Sequence, residues 1–324
     1  MPAAASVRDL LACPRCAADL AEDFACARCA TAPARDGGVL DWLADGVADR
    51  ATEQVRAFYE ARPFPGYAPG DDAAALIDRA RRSSYLVALD AAVGPEARVL
   101  DCGCGTGQVA AWLALRGARR RVVALDGCRA SLRAADGFRA KVGLAHLTLV
   151  RGDLFALPLA RSAFDVVHCR GVIHHTERPW DALREVAARV APGGVLVLGF
   201  YESVARAPHA ARRALGRLAG RPVAALDPLL RRRDLEAQKK RTWIEDQYRH
   251  PLERLLPMPR VLAECEALGF EWLTSVPPAE GDLLAATPRP GAAARLALRL
   301  GWAARGLADE DAGLVALVLR RHRS

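Results

Sequence analysis

Four of the nine cysteines stand where a single metal ion could take all of them. Cys13-Pro14-Arg15-Cys16 and Cys26-Ala27-Arg28-Cys29 are two C-x-x-C knuckles separated by nine residues. One knuckle aims two thiolates at one ion, and a second completes the tetrahedral shell that Zn²⁺ prefers. A closed four-thiolate shell has no open position, so the expected zinc is structural and does no catalysis or redox chemistry. So short a segment buries little core, and the metal would supply much of its folding free energy. Cys102, Cys104 and Cys128 lack such spacing and read as small packing residues.

A second constellation begins at Arg98. Arg98–Cys102 (RVLDC) reads as a strand, Gly103-Cys104-Gly105-Thr106-Gly107 as a tight turn, and Gln108–Leu115 as a helix. Glycines there let the backbone pass close to a ligand. Arg121–Asp126 (RVVALD) is the next strand and ends in a carboxylate 25 residues after Asp101, where a ribose diol is gripped. His146–Val150 leads to Gly152-Asp153-Leu154, Phe164–Cys169 leads to Arg170-Gly171-Val172, and Ala191-Pro192-Gly193-Gly194 precedes VLVLGFY. Apolar runs alternating with helical periodicity predict a parallel α/β sheet. A dinucleotide oxidoreductase would share the glycine turn and the second-strand acid. The turn, however, has its acid immediately before it and holds no basic residue to neutralise a pyrophosphate.

Taken in order and at these spacings, the five motifs resemble class I S-adenosylmethionine (SAM)-dependent methyltransferases over roughly residues 55–322. The resemblance implies a Rossmann-like seven-stranded sheet. It puts Asp101 and Gly103 near the methionine part of SAM, with Gly105, Gly107 and Gln108 shaping the turn and the helix start. Asp126 would hold the ribose hydroxyls with Gly127 beside it, and Asp153 and Leu154 would meet the adenine. Cys169, Arg170 and Gly171 would form the floor under the sulfonium, and Tyr59, Phe64 and Tyr67 a lid. Each acid could instead serve as a helix cap or strand-end turn. Leu10-Leu11-Ala12-Cys13-Pro14 and residues 34–43 (ARDGGVLDWL) resemble the small zinc-ribbon family that activates or is fused to methyltransferases. That likeness implies a docking or stabilising module. Three further strings, FYE-x-x-PFPGY at 58–67, GVIHHT at 171–176 and WIEDQYRHP at 243–251, look like an uncharacterised bacterial subgroup that leaves the acceptor open.

In such a fold the loop after the fourth core strand and the segment after the fifth face the methyl group. His174 and His175 are therefore candidate bases, since imidazole titrates near physiological pH. Tyr201, at the end of the fifth strand, and His250, in the WIEDQYRHP string with Asp246 and Tyr248, are the other candidate catalytic residues. That string is polar and aromatic together, as substrate pockets tend to be. A structural corner made by Trp243 and Pro251 explains it equally well.

The chain divides by pattern into a zinc ribbon at 1–45, a linker and lid helices at 46–97, a SAM-binding core at 98–204, a helical cap insertion at 205–256, and C-terminal helices and final strands at 257–324. Hydrophobic residues at 52% and charged ones at 26% fit a packed globular protein and exclude a disordered or fibrous chain. The net charge of +8 is local: residues 205–241 hold eleven basic side chains against three acidic ones. This cluster points to an anionic ligand or surface nearby, or simply to a solvated helical face. No apolar run suits a transmembrane helix, and the first residues do not read as a signal peptide, so the expected location is the cytoplasm. The leading expectation is methyl transfer to a small molecule, with an anionic group favoured if the arginine-rich cap lines the pocket. Alternatives are an RNA or protein methyltransferase that docks through ribbon and cap, and a scaffold that holds SAM without catalysis. Oligomeric state is not legible.

Overall fold

Val99 and Leu100 lie next to each other in the first core strand, yet each is fully buried, and on opposite faces of the same sheet. A strand alternates its side chains, so a strand covered on both faces is apolar at consecutive positions. The computed structural model describes residues 7–43, 50–218, 227–232, 237–277, 282–285, 290–307 and 313–323.

Among the described residues nine strands form one sheet. They are β1 (Ala34–Asp36), β2 (Val39–Asp41), β3 (Arg98–Cys102), β4 (Arg121–Asp126), β5 (Leu147–Arg151), β6 (Phe164–Arg170), β7 (Val190–Tyr201), β8 (Phe270–Val276) and β9 (Leu314–Arg321). Their spatial order is β1-β2-β5-β4-β3-β6-β7-β9-β8. The core from β5 to β7 is parallel, and β9 pairs antiparallel with both β7 and β8. The sheet therefore has nine strands rather than the seven expected. The difference is the hairpin β1–β2, whose second strand pairs in parallel with β5 (Val39 opposite Leu149, Asp41 opposite Arg151). These strands are only three residues long and their apolar pattern is short, so periodicity could not announce them.

The cysteine-bearing segment is tied to the same core. Leu10 and Leu11 are buried in the cluster that contains Leu100, Val150 and Val167. Ala160 N–H donates to Leu10 C=O and Ala12 N–H to Pro158 C=O, which clamps this segment onto the chain that follows β5.

Helices α1 (Arg50–Ala61), α2 (Ala73–Arg81), α3 (Ser84–Ala92), α4 (Gln108–Arg116), α5 (Arg129–Lys141) and α6 (Pro179–Ala187) surround the parallel strands. Between β7 and β8 lie α7 (Ala207–Leu218), α8 (Pro228–Arg231), α9 (Ala237–Tyr248) and α10 (Met258–Ala267). The first three of these fall in the segment read as a helical cap. Helix α11 (Ala292–Arg305) is anchored by buried Trp302 and by Arg299, which donates to Glu202. Leu298 packs against the core, while Leu296 and Leu300 on the same helix are exposed.

Candidate functional site

At the carboxyl ends of β3 to β7, where open α/β sheets bind ligands, lies a cavity of about 510 Å³. Its floor is the glycine turn. Gly103 (φ +73°) has no room for a side chain, since a Cβ would meet Val172 Cγ2 at 2.3 Å. Gly105 (φ +54°) is equally constrained, its missing Cβ falling 2.4 Å from the Phe64 carbonyl oxygen. The left-handed backbone and the close approach both call for glycine. Gly107 (φ +74°) starts α4 and approaches Ala135 without lining the cavity.

Asp126, at the tip of β4, accepts Gly105 N–H on Oδ2 and Cys128 N–H on Oδ1, both at 2.8 Å. Burial pushes its pKa up, and the backbone N–H groups pull the other way. Each oxygen retains an acceptor site, so the carboxylate can still take two hydroxyl donors. Gly127, Asp153, Leu154 and Phe155 continue this wall, and Asp153 Oδ1 accepts Phe155 N–H at 2.9 Å.

Asp101 accepts His168 Nδ1–H at 2.8 Å, while its other oxygen is buried with no partner among the described residues. Arg170 and Gly171 line the cavity. Cys169 does not. Strand alternation turns it into the core, fully buried, where its thiol pKa is raised by the neighbouring Cys102 thiol and by burial. Gln108 also lies outside the lining and donates to Gly66 C=O.

The roof comes from α1 and the turn after it. Tyr59 and Phe64 line the cavity, but Tyr67 stacks on Phe138 (4.2 Å between rings, 6° between planes) and is no part of a lid. Glu60 holds α1 in place by accepting N–H groups at the start of α5, from Arg129 and from Ala130 at 2.8 Å. A carboxylate suits that helix end.

The four candidate catalytic residues form one aromatic stack, and only two of them reach the cavity. His175 and Tyr201 line it; His174 and His250 do not. His175 gives Nδ1–H to Leu252 C=O at 2.7 Å, which leaves Nε2 as the basic nitrogen. Burial lowers its pKa to about 4. His250 stacks behind it at 3.7 Å and takes Leu252 N–H on Nδ1 at 3.2 Å. His174 packs 4.2 Å from the Tyr201 ring, with both ring nitrogens buried and without a hydrogen-bond partner among the described residues.

Tyr201 is held by Arg206 and Gln247, which the sequence placed in the arginine cluster and in the WIEDQYRHP string without assigning either a role. The guanidinium of Arg206 lies 3.7 Å over its ring, and Gln247 Nε2 donates to its hydroxyl at 2.8 Å. Arg206 is itself fully buried, paired with Glu253 at 2.9 Å and donating to Gln247 Oε1 at 2.7 Å. Burial pushes the Tyr201 phenol up to about 12. It accepts from Gln247, so its own O–H can be offered to the cavity. Tyr59 O–H donates to Asp246 Oδ1 at 3.2 Å, and burial raises the Asp246 pKa.

The cap contributes Trp243, Asp246 and Gln247 to the wall. Tyr248 faces away, donating to Asp227, which also takes Trp243 Nε1–H at 3.1 Å. The expected arginine lining is not found among the described residues. Arg206 and Arg212 are buried in protein contacts, Arg231 and Arg232 are exposed, and Arg233 lies outside the described residues. Arg56 and Arg170 are the described arginines of the cavity wall, and neither belongs to that cluster.

The second site is the cysteine cluster. The Sγ atoms of Cys13, Cys16, Cys26 and Cys29 all lie within 4.8 Å of one another. Each knuckle closes in the same way, with Ala17 N–H donating to Cys13 C=O and Ala30 N–H to Cys26 C=O, both alanines at φ +56°. Sulfur separations of 3.4 to 3.7 Å approach the roughly 3.8 Å edge of a tetrahedron with metal–sulfur bonds of about 2.3 Å. Hydrogen bonds from Thr31 lower the Cys29 pKa and favour its thiolate, the form that binds metal.

With this geometry established, comparison with known proteins identifies the core. Residues 100–198 match the sequence model of a methyltransferase domain. The parallel order with its terminal antiparallel pair is the class I methyltransferase fold, and PKMT2 from Rickettsia typhi shares it (TM-score 0.51, 12% identity, 74% of this chain and 52% of that one). A tRNA U34 carboxymethyltransferase of Methylococcus capsulatus is 34% identical over 112 residues, 34% of either chain. A malonyl-[acyl-carrier protein] O-methyltransferase of Methylovorus is 33% identical over 141 residues, 42% of this chain and 47% of that one. An uncharacterised Synechococcus protein is 28% identical over 163 residues, 49% of this chain and 39% of that one. The chain thus spans from about a third to just under half the length of these curated relatives. Among the described residues no helix is long and apolar enough to cross a membrane.

Proposed function

We propose that this protein is a SAM-dependent methyltransferase acting on a small-molecule acceptor. The observation that carries the reading is Asp126. It is a buried carboxylate anchored by two backbone N–H groups at the edge of a cavity whose glycine floor excludes any side chain. Asp126 would take the ribose hydroxyls, Asp153 and Leu154 the adenine, and Asp101 the amino acid end. Bound SAM would supply an electrophilic methyl group on a sulfonium. On the acceptor side, His175 Nε2 is placed to take the proton from a hydroxyl or amine, and Tyr201 O–H to orient the acceptor. His250 and His174 would act by packing, since neither lines the cavity. Around His175 and Tyr201 the wall is formed by Trp243, Asp246 and Gln247, with no arginine of the 205–241 cluster among the described residues, which favours a neutral acceptor over the anionic one that the arginine content suggested.

The four-cysteine cluster is assigned to one structural Zn²⁺, supported by the knuckle geometry. A second reading is RNA methylation, favoured by the name of the Methylococcus relative. The arginines of 205–241 that are buried in protein contacts count against it, because a phosphate-binding surface needs them exposed. Calorimetric titration of SAM and S-adenosylhomocysteine into wild type and Asp126→Ala tests the central claim. Micromolar binding that the substitution abolishes supports it; zinc-loaded, folded wild type that binds neither ligand refutes it.

A further inference from the structure

We infer that the acceptor is an amine, and that Asp246 with the rings of Tyr59, Trp243 and Tyr201 forms the subsite for its nitrogen. The inference rests on the SAM reading above and deepens it by naming the class of acceptor.

Three separate parts of the chain supply these residues. Tyr59 lies on α1, Tyr201 ends β7, and Trp243 and Asp246 stand three residues apart on one face of α9. All four line the cavity, as does His175, whose ring centre is 5.8 Å from that of Tyr201. Hydrogen bonds join them into one unit. Asp246 Oδ1 accepts the Tyr59 hydroxyl at 3.2 Å, and Oδ2 accepts Gln247 Nε2–H at 2.7 Å. The same Nε2 donates to the Tyr201 hydroxyl at 2.8 Å.

Both donors to Asp246 are neutral, and the carboxylate has no ion-pair partner among the described residues. Arg206, whose charge acts on Asp246, is linked to it through the Gln247 amide and is paired with Glu253 at 2.9 Å. A carboxylate taken out of water is costly unless a cation meets it, and burial raises the Asp246 pKa accordingly. Tyrosine and tryptophan rings present a negative face that also attracts cations. One carboxylate and three such rings on one wall therefore favour a group that gains positive charge. A hydroxyl acceptor, once it has lost its proton, ends as a neutral ether. A neutral amine gains the charge: its lone pair forms the N–C bond while the methyl–sulfur bond breaks with its electron pair left on sulfur. Positive charge thereby passes from the sulfonium to the nitrogen, where Asp246 stabilises it as it develops. His175 Nε2 can then take a proton from the resulting ammonium.

The test uses protein loaded with S-adenosylhomocysteine and three probes of similar shape: benzylamine, benzyl alcohol and benzoate. Calorimetry should show benzylamine binding roughly tenfold or more tightly than either of the others. Asp246→Asn should erase that preference while leaving SAM and S-adenosylhomocysteine affinities within about twofold of wild type. Alcohol or benzoate that binds as tightly as the amine, an amine that does not bind, or a preference that survives in Asp246→Asn overturns the subsite. A loss of SAM affinity as large as that for benzylamine assigns the carboxylate to the sulfonium and overturns it too. Wild type that binds no S-adenosylhomocysteine overturns the SAM reading and this inference with it. The comparison of three probes on wild type needs no variant, so it decides the matter even if Asp246→Asn does not fold.

Discussion

Asp41 and Arg151 end their strands opposite each other, joined by a 3.0 Å ion pair with both side chains buried. Arg151 also donates to the carbonyl of Gly127, a residue of the cavity wall, and Arg129 shares the same Asp41 oxygen. The hairpin that follows the cysteine cluster is thereby connected, through one charged pair, to the loop beside Asp126.

Asp41→Asn should be strongly destabilising, because it leaves Arg151 buried without its countercharge. Breaking such a pair costs about 3 kcal/mol or more. Urea unfolding of wild type and variant checks this, and a difference below about 1 kcal/mol would show that the pair contributes little.

The cysteine cluster predicts one zinc per chain. Cys26→Ser should reduce bound zinc well below stoichiometric and lower the thermal midpoint, since a three-thiolate site loses part of its binding free energy. Elemental analysis beside a thermal scan decides it; full zinc occupancy in the variant would exclude Cys26 as a ligand.

Stability should fall as pH drops below about 6.5. Burial lowers the pKa of His175 to about 4, those of His209 and His250 to about 3, and that of His174 well below its ordinary value. Between these values and the unfolded value near 6.5, the unfolded chain binds more protons, so unfolding free energy rises with pH and is lost on acidification. Unfolding curves at pH 7, 6 and 5 measure the slope, and His250→Phe should flatten it.

Gly105→Ala should cut SAM affinity at least tenfold. The new methyl group meets the Phe64 carbonyl and forces the turn out of its left-handed conformation, disturbing the N–H that Gly105 gives Asp126. Calorimetry on the folded variant is the check.

Once an acceptor is found, His175→Ala should lower kcat by roughly 10²–10⁴-fold while SAM affinity stays near wild type, the usual loss for a general base. Tyr201→Phe should raise the acceptor KM more than it lowers kcat. A His175 variant with undiminished kcat would remove the base assignment.

The parallel core and its ligand edge were legible because their signals are local. An apolar strand, its acid Asp101 and a glycine turn stand within ten residues of one another, and a second acid, Asp126, ends the next strand at the same sheet edge. The two cysteine knuckles were legible for the same reason. Residue type and spacing alone could not separate His175 from His174, Cys169 from Arg170, or Tyr59 from Tyr67. In each pair the outcome depended on which way a side chain turned against distant segments. The sequence by itself determined the fold class, the glycine floor and the thiolate set, all short-range consequences of backbone sterics and residue chemistry. Only the tertiary structure decided that the hairpin joins the sheet, that Arg206 is buried under Tyr201 instead of lining a positive pocket, and that His168 stands beside Asp101. Those pairings join residues 67 to 110 positions apart or rest on which element covers a charge, and burial, unlike spacing, is a property of the assembled chain.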